Sequence, residues 1–443
     1  MAQLDPFYPV EYKIVEKYND DPKWATYLYF ENGEEGWNQT IPGSFLAKNP
    51  ENDLTFVHNT KEDALRYAKS TFESAEYLEN EYPLKNHIEI KKSAEKYYDK
   101  ADKKFKKGYY EEAKRYFTKA IEINPEYADA YCNRGLAKNK IEDIRGAIAD
   151  YTKAIEINPK FAEAYNNRGN ARSDLNEYRG AIQDYNKTIE INPENAAAYN
   201  NRGIVRSILK DYRDAIQDFN KAIEINPEYA DAYYNRGKVK DKLEDYNGAI
   251  ADYNKAIEIN PEHAYAYYDR GIVKKDIEDH MGAIADYNKA IEINPELADA
   301  YYNRGIVKDK LEDYSGAIAD YNKAIEINPE DEDAYFNRGV VRSVLNNYMD
   351  AIQDYTKAIE INPELADAYC NRGAAKVKVE DHRGAIADYT KAIEINPENA
   401  GVYFNRGILK IILDQKESGC LDLSKAGELG YSRAFEIIRK YCN

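Results

Sequence analysis

Apolar and polar positions recur along the chain with a period of 34 residues. Within one period, apolar or small residues stand at positions 3, 4, 8, 10 and 14, as in Ala232, Tyr233, Gly237, Val239 and Leu243. A second set stands at positions 20, 21, 24, 27 and 28, as in Ala249, Ile250, Tyr253, Ala256 and Ile257. Each set has the three-or-four spacing of one helical face, which predicts two helices per period. Ile-Asn-Pro closes the period, with prolines at Pro125, Pro159, Pro193, Pro227, Pro261, Pro295, Pro329, Pro363 and Pro397. The pattern predicts Asn in a left-handed cap and Pro as the stop. Gly at position 8 lets two helices approach, with the small Ala at position 20 as its partner. Placing the proline at position 32 gives ten frames over 94–433, starting at Ala94, Ala128, Ala162, Ala196, Ala230, Ala264, Ala298, Glu332, Ala366 and Ala400.

An aromatic at position 4, Gly at 8, Ala at 20, an aromatic at 24, Ala at 27 and Pro at 32 on this period resemble the tetratricopeptide repeat. The resemblance implies a mainly α fold, a right-handed α-solenoid (superhelix) of paired antiparallel helices. Two departures recur. Position 7 is Arg where the family usually has Leu, and position 11 is Lys or Arg where it usually has Tyr. Arg at position 7 (Arg134 through Arg406) accompanies Asp at position 23 (Asp150 through Asp422) in frames two to ten. Frame one has neither, with Lys100 and Tyr116 in those slots. Shared presence and shared absence predict a structural Arg–Asp pair between the two helices of one repeat; the functional alternative is a row of cationic binding sites.

A repeat array buries its core between neighbours and exposes one long face. The resemblance implies that positions 2, 5, 6, 9, 12 and 13 of the first helix line a concave groove. Position 6 is Asn133, Asn167, Asn201, Asn235, Asp269, Asn303, Asn337, Asn371 and Asn405. Each amide offers a donor and an acceptor, so such a ladder suits a peptide backbone. Position 5 carries Tyr234, Tyr268, Tyr302 and Phe336 in consecutive frames. This row either supplies rigid contact area to a partner or packs against a neighbouring helix. Position 2 is mostly acidic, as at Asp231, Asp299 and Asp333. The face is polar, aromatic and slightly acidic, which fits an extended or helical segment that is neutral or basic. Position 5 is never basic and position 2 is acidic or neutral, so a clamp for a chaperone's C-terminal carboxylate is not expected. Frame six is irregular, with His263 before it, Tyr265 at position 2, Asp269 at position 6, and His280 and Met281 at its turn.

The first 93 residues carry no repeat. Glu11–Tyr18, Trp24–Phe30 and Leu54–Val57 read as strands. A loop spans about 31–53 with short strands around Trp37, and Thr60 with Asp63 opens a helix over Lys61–Leu78. These elements predict a small α+β domain over 1–90, assigned to no family. At the other end, Gly419 and Leu423 break the pattern and Ser432–Tyr441 reads as a capping helix within 432–443. Arrays need such caps to stay soluble.

Net charge is −17, which argues against nucleic acid as a ligand. Charged residues make up 32% of the chain, yet it holds 42 Tyr and 12 Phe, unlike disordered segments. No apolar run is long enough to span a membrane. Met1-Ala2-Gln3-Leu4-Asp5 lacks the features of a signal peptide, so a cytoplasmic location is expected. The four Cys (Cys132, Cys370, Cys420, Cys442) lack a Cys-x-x-Cys pair and are expected as reduced thiols. No His stands at metal-ligand spacing from another, and repeated carboxylates read as a solvated face. The chain is therefore expected to be a non-enzymatic scaffold without catalytic residues, metal or cofactor, binding a protein or peptide. Two alternatives stand beside it: the N-terminal domain as the specific binding or effector unit, and self-association.

Overall fold

A computed structural model describes the backbone of residues 11–17, 23–29, 46–48, 54–58, 76–77 and 82–442, and the side chains of 90–442. The chain divides into two compact units, Met1–Ala171 and Arg172–Asn443. The described residues are mainly helical, with helices in tandem pairs.

In the first unit, five strands form one sheet: β1 (Glu11–Lys17), β2 (Lys23–Tyr29), β3 (Leu46–Lys48), β4 (Leu54–His58) and β5 (Glu76–Tyr77). The order is β3-β4-β2-β1-β5, with β1 antiparallel to β2 and parallel to β5. Strands β1, β2 and β4 fall on segments that the sequence reads as strands. The expected turn around Asn19 and the loop around Trp37 lie outside the described residues, as does most of the expected helix over 61–78. At its end, Glu76 and Tyr77 are in a strand instead, because their backbone pairs with Glu11 and Tyr12. The helix that follows runs Tyr82–Lys106, beginning ahead of frame one at Ala94.

From frame two to frame nine, the first (A) helix occupies positions 1–13 and the second (B) helix positions 17–30. Repeat five shows the pattern with A helix Ala230–Lys242 and B helix Tyr246–Ile259. A and B are joined by a turn whose position-15 residue is left-handed without being glycine, as at Glu244 (φ 61°) and Lys210 (φ 64°). Asp at position 16 often caps the B helix: the Asp245 carboxylate accepts from the Gly248 N–H at 3.0 Å.

The Asn-Pro stop works differently from the left-handed cap expected above. Asn260 is extended (φ −126°, ψ 90°), because a residue before proline is pushed out of helical conformations. Its side-chain oxygen accepts from the Glu262 N–H at 3.1 Å, and the same turn recurs at Asn226 and Asn294.

The core forms in slices, each shared by one repeat and the A helix of the next. Ala249 and Tyr253 of repeat five pack on Val273 of repeat six, and Ala283 and Tyr287 pack on Val307 of repeat seven. Gly at position 8 makes room for the position-24 ring: a Cβ on Gly237 would fall 2.8 Å from Tyr253 Cε1. Leu243 departs from the expected apolar face, since it follows the last helical residue and is 50% exposed. At the C-terminus, helix Arg433–Tyr441 covers the final pair, burying Ala434 beside Leu423 and Ala426.

Cys420 and Cys442 are joined by a disulfide, which corrects the expectation that all four cysteines are thiols. The last helix folds back on Lys416–Glu428 and brings the two Cα atoms to 5.8 Å, within bonding range. Disulfides persist in oxidising compartments and are rare in a cytosol. Cys132 and Cys370 remain free thiols.

Candidate interaction face

The Arg–Asp pairing expected from the sequence is present, and it is one part of a larger motif. In repeat five, Arg236 donates from Nε and Nη2 to the Asp252 carboxylate at 2.8 and 2.6 Å. Lys240, at position 11, lies 2.8 Å from the same carboxylate. Both departures from the family pattern thus converge on one buried acid. The arrangement recurs at Asp150, Asp218, Asp286, Asp320, Asp354, Asp388 and Asp422. Arg236 also donates from Nη1 to Asn220 Oδ1 in the preceding repeat at 2.6 Å, and its guanidinium lies over Tyr233 with 5.4 Å to the ring centre. One arginine therefore ties two B helices to one A helix. The sequence signal for the lysine was the unbroken twelve-residue offset between positions 11 and 23. With every guanidinium nitrogen of Arg236 engaged, this arginine row is structural and not a row of cation sites for ligands.

The position-6 residues stand half-buried on the A helices, Asn405 being exposed. They do not form a ladder among themselves. Five of the Asn residues join position 5 of the preceding repeat, whereas Asn201 accepts from Asn200 of its own repeat at 3.4 Å. Within the first unit, Asn133 donates to the Tyr98 hydroxyl and Asn167 to the Cys132 sulfur. Within the second, Asn235 donates to Asn200 Oδ1 at 3.1 Å, Asn303 to the Tyr268 hydroxyl at 3.1 Å, and Asn337 to the Tyr302 hydroxyl at 2.9 Å. Asn201, Asn371 and Asn405 complete the position-6 set; Phe336, the position-5 residue that precedes Asn371, has no hydroxyl for such a rung.

The position-5 aromatics pack against a neighbouring helix, the B helix of their own repeat. Tyr234, Tyr268 and Tyr302 each place their ring 6.0 Å from the position-24 ring of their own repeat, and Phe336 places its ring at 5.9 Å. Their inner faces are therefore packing. Burial raises the pKa of these phenols, to about 12 for Tyr302, so they stay neutral hydrogen-bonding groups.

Repeat six reverses one rung. Asp269 can only accept, so the Tyr234 hydroxyl donates to Asp269 Oδ2 at 2.8 Å. Burial raises the pKa of Asp269, and the Tyr234 hydrogen bond, Lys238 and His263 pull it back down. Burial also raises the pKa of Asp241, with the charges of Asp276 and Asp269 adding to it. Among the described residues, no group of His, Cys, Asp and Glu is placed to hold a metal ion. No described helix is long and apolar enough to cross a membrane.

The tetratricopeptide repeat family model matches residues 128–161, 162–195, 196–229, 230–263, 298–331, 332–365 and 366–399. A second model, a TPR repeat, matches 101–141 and 278–311. An uncharacterized protein of Methanocaldococcus jannaschii is 52% identical over 46 residues, 10% of this chain. The chain spans about half the length of that curated relative, 54% of it. The solved structure of YrrB, described as a TPR protein with an unusual peptide-binding site, is 32% identical, with 42% of this chain and 95% of that one covered and a TM-score of 0.36. A tetratricopeptide repeat protein from Parabacteroides merdae is 24% identical, covering 57% of this chain and 98% of its own, with a TM-score of 0.45.

Proposed function

The chain belongs to the tetratricopeptide repeat family, and from that premise we propose that its A-helix face holds an extended or helical segment of a protein partner. As a family member it is a protein-interaction scaffold in general terms; the face, the residues and the absence of catalysis are our reading. The observation that carries it is the geometry of the rungs. Asn303 donates into the Tyr268 oxygen and Asn337 into the Tyr302 oxygen. Each phenol keeps its own proton to give, and Asn337 keeps a carbonyl oxygen to accept, while Asn303 Oδ1 takes a long contact from Lys275 at 3.5 Å. A row of such rungs at repeat spacing offers alternate donors and acceptors, which is what an extended backbone requires.

The residues proposed to contact the partner are Asn133, Asn167, Asn201, Asn235, Asp269, Asn303, Asn337, Asn371 and Asn405, with Tyr234, Tyr268, Tyr302 and Phe336. The net charge of −17 favours a neutral or basic segment and disfavours nucleic acid. The sheet of β1–β5 is proposed as part of a small α+β unit that adds a second contact or an effector role.

The test is a pull-down from the native cell extract. The baits are the full chain and a variant with Asn235, Tyr268 and Asn303 changed to Ala. A partner held by the wild type and lost by the variant supports the face. A partner held equally by both moves recognition to the N-terminal residues or to the B helices.

A further inference from the structure

We propose that the A-helix face over repeats six to eight takes an extended segment with an apolar side chain at every third residue and basic residues between. This rests on the A-helix face being the interaction face, and it names the chemistry of the partner.

Positions 5 and 9 lie one helical turn apart on the same face of an A helix. In repeats six, seven and eight both are apolar: Tyr268 with Ile272, Tyr302 with Ile306, and Phe336 with Val340. Each doublet packs on the core slice of its own repeat, which fixes its place. The next residue along, position 10, is buried in that core, as at Val273 and Val307. The six members of the doublets are only half-buried and keep a side to solvent. Asn303 and Asn337 join one doublet to the next through the hydroxyls of Tyr268 and Tyr302, at 3.1 and 2.9 Å. The result is one apolar strip across three repeats, and it is bounded. Repeat five has the exposed Lys238 at position 9, lying over the Tyr234 ring at 5.4 Å, and repeat nine has the small, exposed Ala374.

Spacing and backbone chemistry select an extended occupant. A helices bridged by such bonds run about 8–10 Å apart. A polyproline II segment has three residues per turn and rises about 3.1 Å per residue, so every third side chain returns to one face after about 9 Å. One residue in three therefore meets one doublet. Such a backbone has no internal hydrogen bonds and can engage the rungs between doublets. An α-helix has its backbone groups paired within itself and cannot.

Charge selects the residues between. Position 2 lies one turn ahead of position 5 and carries Asp299, Asp333 and Asp367 along one border of the strip. All three are exposed, and none has an ion-pair partner among the described residues. Lysine or arginine in the intervening positions complements that border.

The experiment measures binding of the full chain to a fluorescent peptide that repeats Leu-Lys-Pro, and to the same residues reordered so that the leucines are consecutive. We expect the repeating peptide to bind roughly tenfold more tightly, because only its spacing buries a leucine on each doublet. Its affinity is expected to fall with added salt, as the acidic border requires. Ile306→Asn places in repeat seven the residue that repeat three carries as Asn170, so the helix accommodates it. It is expected to remove most of the preference for the repeating peptide, while Ala374→Asn, beyond the end of the strip, leaves it unchanged. The comparison of peptides on the unaltered chain stands even if a variant fails to fold. Equal affinity for the two peptides overturns the strip, and so does failure of both to bind. Tighter binding of a longer amphipathic helix with leucines at heptad spacing overturns the extended occupant. In each of these cases loss of the partner in the pull-down still decides the interaction face by itself.

Discussion

Lys240 sits 2.8 Å from Asp252, on the carboxylate oxygen that also accepts from Arg236 Nε. The acid is 4% exposed, so two cations share one buried negative charge. Asp252→Ala strands both and is expected to cost about 3–5 kcal/mol. Arg236→Leu leaves Lys240 on the carboxylate and is expected to cost less. Hydrogen exchange in Tyr246–Ile259 together with urea midpoints measures both variants. Equal losses would refute the shared-acid account.

Gly237 faces the Tyr253 ring, and the predicted effect of a methyl group there has the opposite sign to its effect on an open helix. Gly to Ala ordinarily gains about 1 kcal/mol in a helix. A Cβ 2.8 Å from a fully buried ring instead forces the slice apart, at about 1–3 kcal/mol. Gly237→Ala is therefore expected to lower the urea midpoint. Gly401→Ala, whose nearest foreign atom would be Asn399 Oδ1 at 3.4 Å, is expected to hold or raise it.

Alkali is predicted to unfold the repeats. Burial raises the pKa of Tyr185, Tyr253, Tyr287, Tyr321 and Tyr389 above their ordinary value of 10.0. A phenol whose pKa is raised on folding contributes stability that is fully present below the unfolded pKa. That stability is lost as pH rises from about 10 through the folded values. Tyrosinate absorbance and helical circular dichroism are expected to change together above pH 10. Full ionisation of every tyrosine with the helices intact would contradict this.

The Cys420–Cys442 disulfide closes a loop with a sequence separation of 22, a size expected to be worth about 3 kcal/mol. Reduction, or Cys442→Ser, should free helix Arg433–Tyr441 and expose it to protease first. Because repeats contact only their neighbours, protection in Ala230–Lys242 should not change. Loss of protection along the whole second unit would show tighter coupling than this packing provides.

The helix pairs and the Arg–Asp pairs were legible in the sequence because each depends on residues of one frame. Positions 3, 4, 8 and 10 write a helical face, and Arg236 rises and falls with Asp252 from frame to frame. The rungs were not legible, because Asn303 meets Tyr268 across a repeat boundary, 35 residues away. A single helix shows Asn as a free polar face. The Asn260 cap was misread because the preference of Asn for left-handed turns gives way to the steric demand of the following Pro261. The disulfide escaped because Cys420 stands in the irregular last frame and Cys442 in the tail beyond it, where the period no longer predicts which helix lies beside which.

The reversed rung at Tyr234 and Asp269 bears on alignment. Neighbouring repeats are nearly identical, so a long ligand shifted by 34 residues' worth of protein would meet almost the same surface. Such a surface cannot by itself distinguish one alignment from the next. A single carboxylate among amides breaks that translational degeneracy, as a notch does on a ruler with unlabelled divisions. For the partner segment proposed above, it gives the position-6 row a zero point from which the other contacts are counted.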